Sequence, residues 1–310
     1  MTPEQLDQLR AELPDFGEPP DSPAYREYLA YYGLEFATRY PGIGYRAGRI
    51  DSGKFQLMTH CWTLPDARAN LLLVHGYFDH TGIYDKLIDY GLSRRCNVLI
   101  FDLPGHGLSS GERAVIDNFR DYGDAVANVL AAAQLPELPF YVLAQSTGCA
   151  ALMDFARRHA WPFDRSVFMA PLVRPAGWFS VRMGHSLLHR FTETLERKFN
   201  QNSSDLDFLS FVRRDPLQCH RVSLRWIGAL KAWLKELPLK DLGVGPLLVL
   251  QGDNDGTVDW KYNMPAMGQL FPGSLIEYLP GAGHQLANES DAIRSDYSAR
   301  IDNYLFPEST

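Results

Sequence analysis

The 310-residue chain lacks any run of about 18 apolar residues, the length a helix needs to cross a bilayer, so no membrane span is expected. Its start, Met1-Thr2-Pro3-Glu4-Gln5-Leu6-Asp7, has neither the basic beginning nor the apolar block of a secretory signal. Cys61, Cys96, Cys149 and Cys219 are far apart and make no CxxC pair. They read as reduced, mostly buried thiols, and a cytoplasmic protein is expected. Positive charge is scarce overall. The net charge of −7 argues against a nucleic-acid partner. Internal repeats and low-complexity tracts are missing too. What remains is a chain that is 45% hydrophobic and 22% charged, ordinary for a globular protein with a sizeable core.

The order of segments is informative. Residues 1–22 are polar and hold Pro14, Pro19 and Pro20, which suggests an irregular arm. Ser22-Pro23 has the form of a helix start, and Tyr25, Tyr28, Tyr31, Tyr32 and Phe36 suggest a helix from there to about residue 38. Segments 43–50 and 54–64 are strand-like, with Asp51-Ser52-Gly53 as their turn. From residue 70 short, wholly apolar strands (71–74, 98–101, 140–143, 166–169, 247–250, 275–279) alternate with helical stretches such as 84–95, 117–134 and 293–305. Continuous apolar strands alternating with helices predict an α/β fold, a mostly parallel central sheet covered on both faces. Between the strands ending near 170 and starting near 246, some 70 residues carry no strand signal. That is too long for an ordinary connection and predicts an inserted helical cap or lid. The expected division is an N-terminal arm and helix (1–40), a core (41–171 and 241–310) and a cap (172–240).

The segment 140–149 carries the chemistry. An apolar strand runs into Ala144-Gln145-Ser146-Thr147-Gly148, and small residues follow at helical spacing. A serine on a sharp strand-to-helix turn has its hydroxyl pushed into the open, and small neighbours let strand and helix approach. Serine needs a base, and the base an orienting acid. His284, in the loop Pro280-Gly281-Ala282-Gly283 after the last strand, is the expected base. Asp255, just past the strand ending in Gln251-Gly252, is the expected acid, with Asp253 as the alternative. Asp253 and Asp259 otherwise suit turn capping. The oxyanion donors are expected to be the N–H of Thr147 and, from the loop His75-Gly76-Tyr77-Phe78-Asp79-His80, the N–H of Tyr77. His75 and His80 could compete as bases, but loop-bracing hydrogen bonds are the expected role. The chain order Ser, Asp, His is that of α/β-hydrolase triads.

These residues resemble the monoacylglycerol lipase and lysophospholipase branch of the α/β-hydrolases over about 60–305. The resemblance rests on the 75–84 loop, on Phe101-Asp102-Leu103-Pro104-Gly105-His106-Gly107-Leu108-Ser109-Ser110-Gly111-Glu112-Arg113, and on Asp215-Pro216-Leu217 in the insertion. Ala144 and Cys149 depart from it, standing where glycine is usual. The resemblance implies an α/β-hydrolase fold with an inserted helical cap. It also implies a serine hydrolase that cleaves lipid monoesters through an acyl-enzyme, without cofactor or metal. Thioester or small-ester hydrolysis, acyl transfer and a non-catalytic binding protein of the same fold are the alternatives.

The cap differs in charge from the body. Residues 172–240 carry 12 Lys/Arg against 6 Asp/Glu, and the remainder 18 against 31. Arg182, Arg190, Arg213, Arg214, Arg221 and Arg225 would attract a phosphate-bearing lipid or an anionic membrane surface; pairing with the acidic body is the alternative. Two apolar stripes, Trp178 to Phe199 and Trp226 to Leu234, are expected to pack the cap onto the body or to line an acyl channel. His185, His189 and Glu193 share a helical face at metal-like spacing, but Ser186 stands where HExxH has glutamate, so a solvated face is expected. Cys149 is expected to be a small core residue, and His106 a structural loop residue.

Overall fold

A computed structural model describes residues 1–197 and 201–307. The N-terminal stretch is not irregular at its start. Helix α1 (Pro3–Glu12) begins with a capping box, in which the Thr2 side chain accepts from the Gln5 N–H and Gln5 Oε1 accepts from the Thr2 N–H. Its Leu6 and Leu9, with Leu13 just beyond, are buried. The prolines that suggested an arm all follow this helix. Helix α2 (Pro23–Tyr31) starts at Ser22, whose hydroxyl accepts from the Tyr25 N–H at 3.2 Å. It stops earlier than residue 38. Gly33 takes φ +67°, and the Leu34 N–H reaches back to the Leu29 carbonyl at 2.8 Å, closing a glycine-terminated helix end.

Strands β1 (Gly44–Ser52) and β2 (Phe55–Thr63) pair antiparallel across a two-residue turn at Gly53-Lys54, slightly later than the Asp51-Ser52-Gly53 turn expected. The alternating section follows as β3 (Ala69–Val74), α3 (Asp85–Ser93), β4 (Cys96–Phe101), α4 (Arg120–Ala133), β5 (Phe140–Gln145), α5 (Thr147–Ala156) and β6 (Arg165–Met169). The segment expected as a cap, and called so below, then contributes α6 (Trp178–Leu188), β7 (Thr194–Glu196), α7 (Leu206–Val212), β8 (Arg221–Ser223) and α8 (Leu224–Glu236). The chain closes with β9 (Leu248–Gly252), α9 (Trp260–Leu270), β10 (Leu275–Leu279) and α10 (Asp291–Leu305). The eight-stranded sheet has the order β1-β2-β4-β3-β5-β6-β9-β10, with only β1–β2 and β2–β4 antiparallel. β7 and β8 form a separate ribbon in the cap.

Alternate residues of each inner strand enter opposite cores. Leu72, Val74, Leu99, Phe101, Val142 and Ala144 pack with α4, α5 and α9 on one face. Leu71, Leu73, Val98, Ile100 and Leu143 pack with α1, α2, α3 and α10 on the other. Because both faces are covered, these strands contain no polar alternation. That accounts for their continuous apolar runs.

The cap's two apolar stripes differ. On α8, Trp226, Ile227, Leu230 and Trp233 are buried, and the Trp233 ring stacks on Phe119 at 5.1 Å. At about 1.5–3 kcal/mol per large side chain buried, this helix is firmly docked. On α6 no residue is fully buried, and Phe179, Met183, Leu187 and Leu188 are exposed. Trp178 and Val181 pack partly buried against the core, so the expectation that this stripe packs onto the body holds only at the start of α6, and Phe199 lies outside the described residues. Little apolar burial holds α6, which puts it at the low-stability end of the fold.

Candidate active site

Ser146 stands between β5 and α5 with φ +53° and ψ −113°. Holding a non-glycine residue there costs on the order of 1–3 kcal/mol, which the surrounding structure must supply. The turn is locked on both sides. The Ser146 N–H donates to the Met169 carbonyl at 2.9 Å. A Cβ on Gly148 would come within 2.3 Å of the Val74 carbonyl oxygen, so only glycine lets α5 pass β3 this closely. Cys149 is wholly buried with its Sγ donating to the Ala144 carbonyl, and burial pushes its thiol far above the ordinary range. It fills the turn's interior and is no second nucleophile.

His284 and Asp255 sit on loops leaving the ends of β10 and β9, adjacent strands two places from β5 at the nearest. His284 Nε2 lies 2.9 Å from Ser146 Oγ, and its Nδ1 lies 2.8 Å from Asp255 Oδ2. Oδ2 also accepts from Gln251 Nε2, and Oδ1 accepts from the N–H groups of Thr257 and Val258. Burial opposes charge on both groups. The Asp255 carboxyl is nevertheless held below its ordinary value, by His284 and by these donors. Burial likewise presses on His284, yet its imidazole is raised above 6.5 by the Asp255 charge and hydrogen bond. Asp253 is exposed and accepts from the Gly281 N–H at 2.7 Å, while Asp259 pairs with Arg174. The structure thus brings Asp255, not Asp253, to the imidazole.

Thr147 opens α5, where backbone N–H groups lack intrahelical partners. Tyr77 lies in a turn closed by the Asp79 N–H on the Gly76 carbonyl, with Phe78 at φ +71°. Its hydroxyl donates to the Ala114 carbonyl and its ring stacks on Trp226 of α8 at 4.0 Å. The side chain therefore anchors the turn to the body and to the cap. His75 braces the loop: Nδ1 lies 2.8 Å from the Gly76 carbonyl, and Nε2 accepts from the Leu103 N–H. His80 reaches further than a loop brace. Its Nε2 donates to Asp215 Oδ2 at 2.7 Å, and Tyr32 donates to Oδ1 at 2.6 Å, so body, N-terminal helix and cap meet at one buried carboxylate.

A set of glutamines escaped the motif reading. Gln285 Nε2 donates to Asp79 Oδ1 at 2.5 Å, and its Oε1 accepts from Gln145 Nε2 at 2.6 Å. Gln145 in turn accepts from the Ala287 N–H. The Tyr77 turn, the residue before Ser146 and the residue after His284 are thereby joined. The available signal was a glutamine directly beside two of the three motif residues. Glu289, fully buried, likewise accepts from the Gly283 N–H and from Ser204, tying the histidine loop to the cap.

Ser146 and His284 open into a cavity of about 410 Å³, roofed by Val181 of α6, Leu209 and Val212 of α7, and Trp226 and Ile227 of α8. Arg197 and Arg213 also line it, and the Arg197 guanidinium lies 4.0 Å from the Phe78 ring centroid. Among the described residues, no three His, Cys, Asp or Glu side chains converge on a metal-sized point. The rings of His185 and His189 stack on each other at 4.9 Å.

A mostly parallel, doubly covered sheet with these side chains on loops beyond its carboxyl edge defines an α/β-hydrolase. The solved structure of a soluble variant of the Saccharomyces cerevisiae monoglyceride lipase aligns with a TM-score of 0.71 at 19% identity, covering 84% of this chain and 95% of that one. A family model, the serine aminopeptidase S33 hydrolases, matches residues 65–291, and the chain belongs to that family. Curated relatives include the monoglyceride lipase of Rattus norvegicus, 27% identical over 257 residues (77% of this chain, 82% of that protein). A monoglyceride lipase homolog of Monkeypox virus is 26% identical over 250 residues (77% and 90%). The phospholipase YtpA of Bacillus subtilis is 23% identical over 210 (64% and 80%).

Proposed function

We propose that the protein hydrolyses carboxylic esters of the lipid monoester class, a monoacylglycerol or a lysophospholipid, with Ser146, His284 and Asp255 as the catalytic residues. The observation that carries the reading is the continuous Asp255–His284–Ser146 contact, 2.8 and 2.9 Å, at the wall of the apolar-roofed cavity. In this scheme His284 takes the Ser146 proton as Oγ attacks the ester carbonyl, and Asp255 stabilises the imidazolium that forms. The Thr147 and Tyr77 N–H groups receive the developing oxyanion. His284 then returns its proton to the departing alcohol, and water, activated by the same base, releases the acid. The scheme calls on no cofactor.

Arg197 and Arg213 on the cavity wall favour a phosphate-bearing headgroup over a neutral glycerol. Exposed Leu188 and Phe191, beside Arg190, favour transient contact between the cap and an anionic membrane. Not every cap cation is available for this role, since Arg225 already pairs with Glu112 and Asp117 of the body. Among the described residues no helix is long and apolar enough to cross a membrane. The test is a hydrolysis panel of monoacylglycerols, lysophospholipids and short p-nitrophenyl esters. A chain-length optimum with a headgroup preference supports the reading. Turnover confined to short esters, thioesters or acyl transfer rejects the substrate class.

A further inference from the structure

Helix α6 has a second cavity behind it. A groove of about 730 Å³ runs between α6 and α8 on the side away from Ser146 and shares no lining residue with the catalytic cavity. The helix is the partition: Val181 faces the catalytic side, while Met183 and Leu187 face the groove. Val173, Leu234 and Leu237 form an apolar bed, and the volume is typical of sites for small molecules.

The charge around it is one-sided. Arg182, Lys231 and Lys235 line the groove, and among the described residues no carboxylate does. Among the described residues none of the three makes an ion pair, unlike Arg174 at the groove's end, which Asp259 neutralises. Among the described residues the hydrogen-bond partners of Lys231 Nζ are neutral, His185 Nδ1 at 3.0 Å and Ser186 Oγ at 3.2 Å. An ammonium donates there, so His185 must present a lone pair and stay neutral. Burial, then Arg182 and Lys235, press Lys231 toward losing its proton. Three cations thus crowd one apolar trough without a counter-ion, an arrangement complementary to an anion carrying a single hydrocarbon chain.

We propose that this groove binds a long-chain carboxylate, the class of product that ester hydrolysis releases, with the chain along Met183, Leu187 and Leu234 and the carboxylate among Arg182, Lys231 and Lys235. A trough with walls on both sides accepts one chain, whereas a bilayer needs a convex or flat face. The bound acid would lie against the back of the helix whose front roofs the catalytic cavity. Occupancy and the position of that roof are then linked.

Trp178 lines the groove and reports on it. Full-length protein is titrated with 9,10-dibromostearate below its micelle concentration, and tryptophan quenching is followed. Saturable quenching is expected with a component that Trp178→Phe removes, and the affinity of that component should be weakened at least tenfold in Arg182→Glu/Lys231→Glu and in Lys235→Glu. The brominated alcohol of equal length should bind at least tenfold more weakly than the acid. These positions lie at the surface, and unchanged thermal melts would show that the variants fold. Equal binding of acid and alcohol, or indifference to charge reversal, overturns the proposal. So does Trp178 quenching seen only with brominated phosphatidylglycerol vesicles, which would make this face a membrane contact alone. The assay involves no turnover, so its failure leaves the Ser146 reading untouched.

Discussion

Substituting Asp215 with alanine should destabilise the protein more than any exposed charge change. Its side chain is buried, and three donors converge on it: His80 Nε2 at 2.7 Å, Tyr32 Oη at 2.6 Å and the Leu217 N–H at 3.0 Å. Removing the acceptor strands all of them. Breaking one side of a buried pair costs about 3–5 kcal/mol, because the partner is left uncompensated. In a chain of this size that is a fall in Tm of roughly 5–15 °C. The pair also has a pH signature. Burial opposes charge on both groups, but Asp215 raises His80 and His80 lowers Asp215. The His80 contribution is present below its unfolded value and lost as pH rises through the raised folded one. The Asp215 contribution is present above its unfolded value and lost as pH falls through the lowered one. Stability from the pair therefore peaks between those limits. The assay is a double-mutant cycle of His80→Ala and Asp215→Ala by thermal and denaturant unfolding. A coupling of about 2–3 kcal/mol is expected, at the upper end for contacting residues. Additivity within about 0.5 kcal/mol would refute the idea that this contact pins the cap to the body.

Three further outcomes are expected. The acid limb of kcat/KM against pH should fall with a midpoint above 6.5, because Asp255 raises the His284 imidazole against its burial and the protonated ring cannot act as base; in Asp255→Asn the limb should move down and kcat drop by about 10⁴, as expected when a triad acid is neutralised. Gln285→Ala leaves the Asp79 Oδ1 and Gln145 Nε2 atoms without partners in a buried site, at about 1–3 kcal/mol; its mark should be a roughly tenfold loss in kcat with little change in KM, read by steady-state kinetics. Gly148→Ala sets a Cβ against the Val74 carbonyl oxygen and should cost about 1–3 kcal/mol or more in denaturant unfolding, with loss of the reactive serine geometry.

Where both faces of the sheet are covered, sequence and structure agree closely, since an apolar run such as Leu71–Val74 has no other stable home. The same holds for the serine turn: Gly148 must be small because the end of β3 leaves no room for a Cβ. Legibility fails where order depends on partners distant in sequence. α1 was masked by prolines that lie beyond its end, although the Thr2/Gln5 capping box is visible in retrospect. The ribbon of β7 and β8 pairs residues 194–196 with 221–223 through strands too short for any periodicity. The α6 stripe has helical spacing but faces a groove and solvent, because amphipathicity specifies an apolar face without saying what covers it. The glutamine links from Asp79 to Gln285 and Gln145 span 206 and 140 residues, and only the assembled fold joins them.

The central claim is that the hydroxyl of Ser146 is a nucleophile activated by His284. Treating folded protein with a fluorophosphonate and measuring intact mass tests it most directly. The account predicts one adduct per chain, mapped to Ser146, absent in Ser146→Ala and strongly slowed in His284→Ala. Folded wild-type protein that takes up no label, or labels equally after Ser146→Ala, would contradict it.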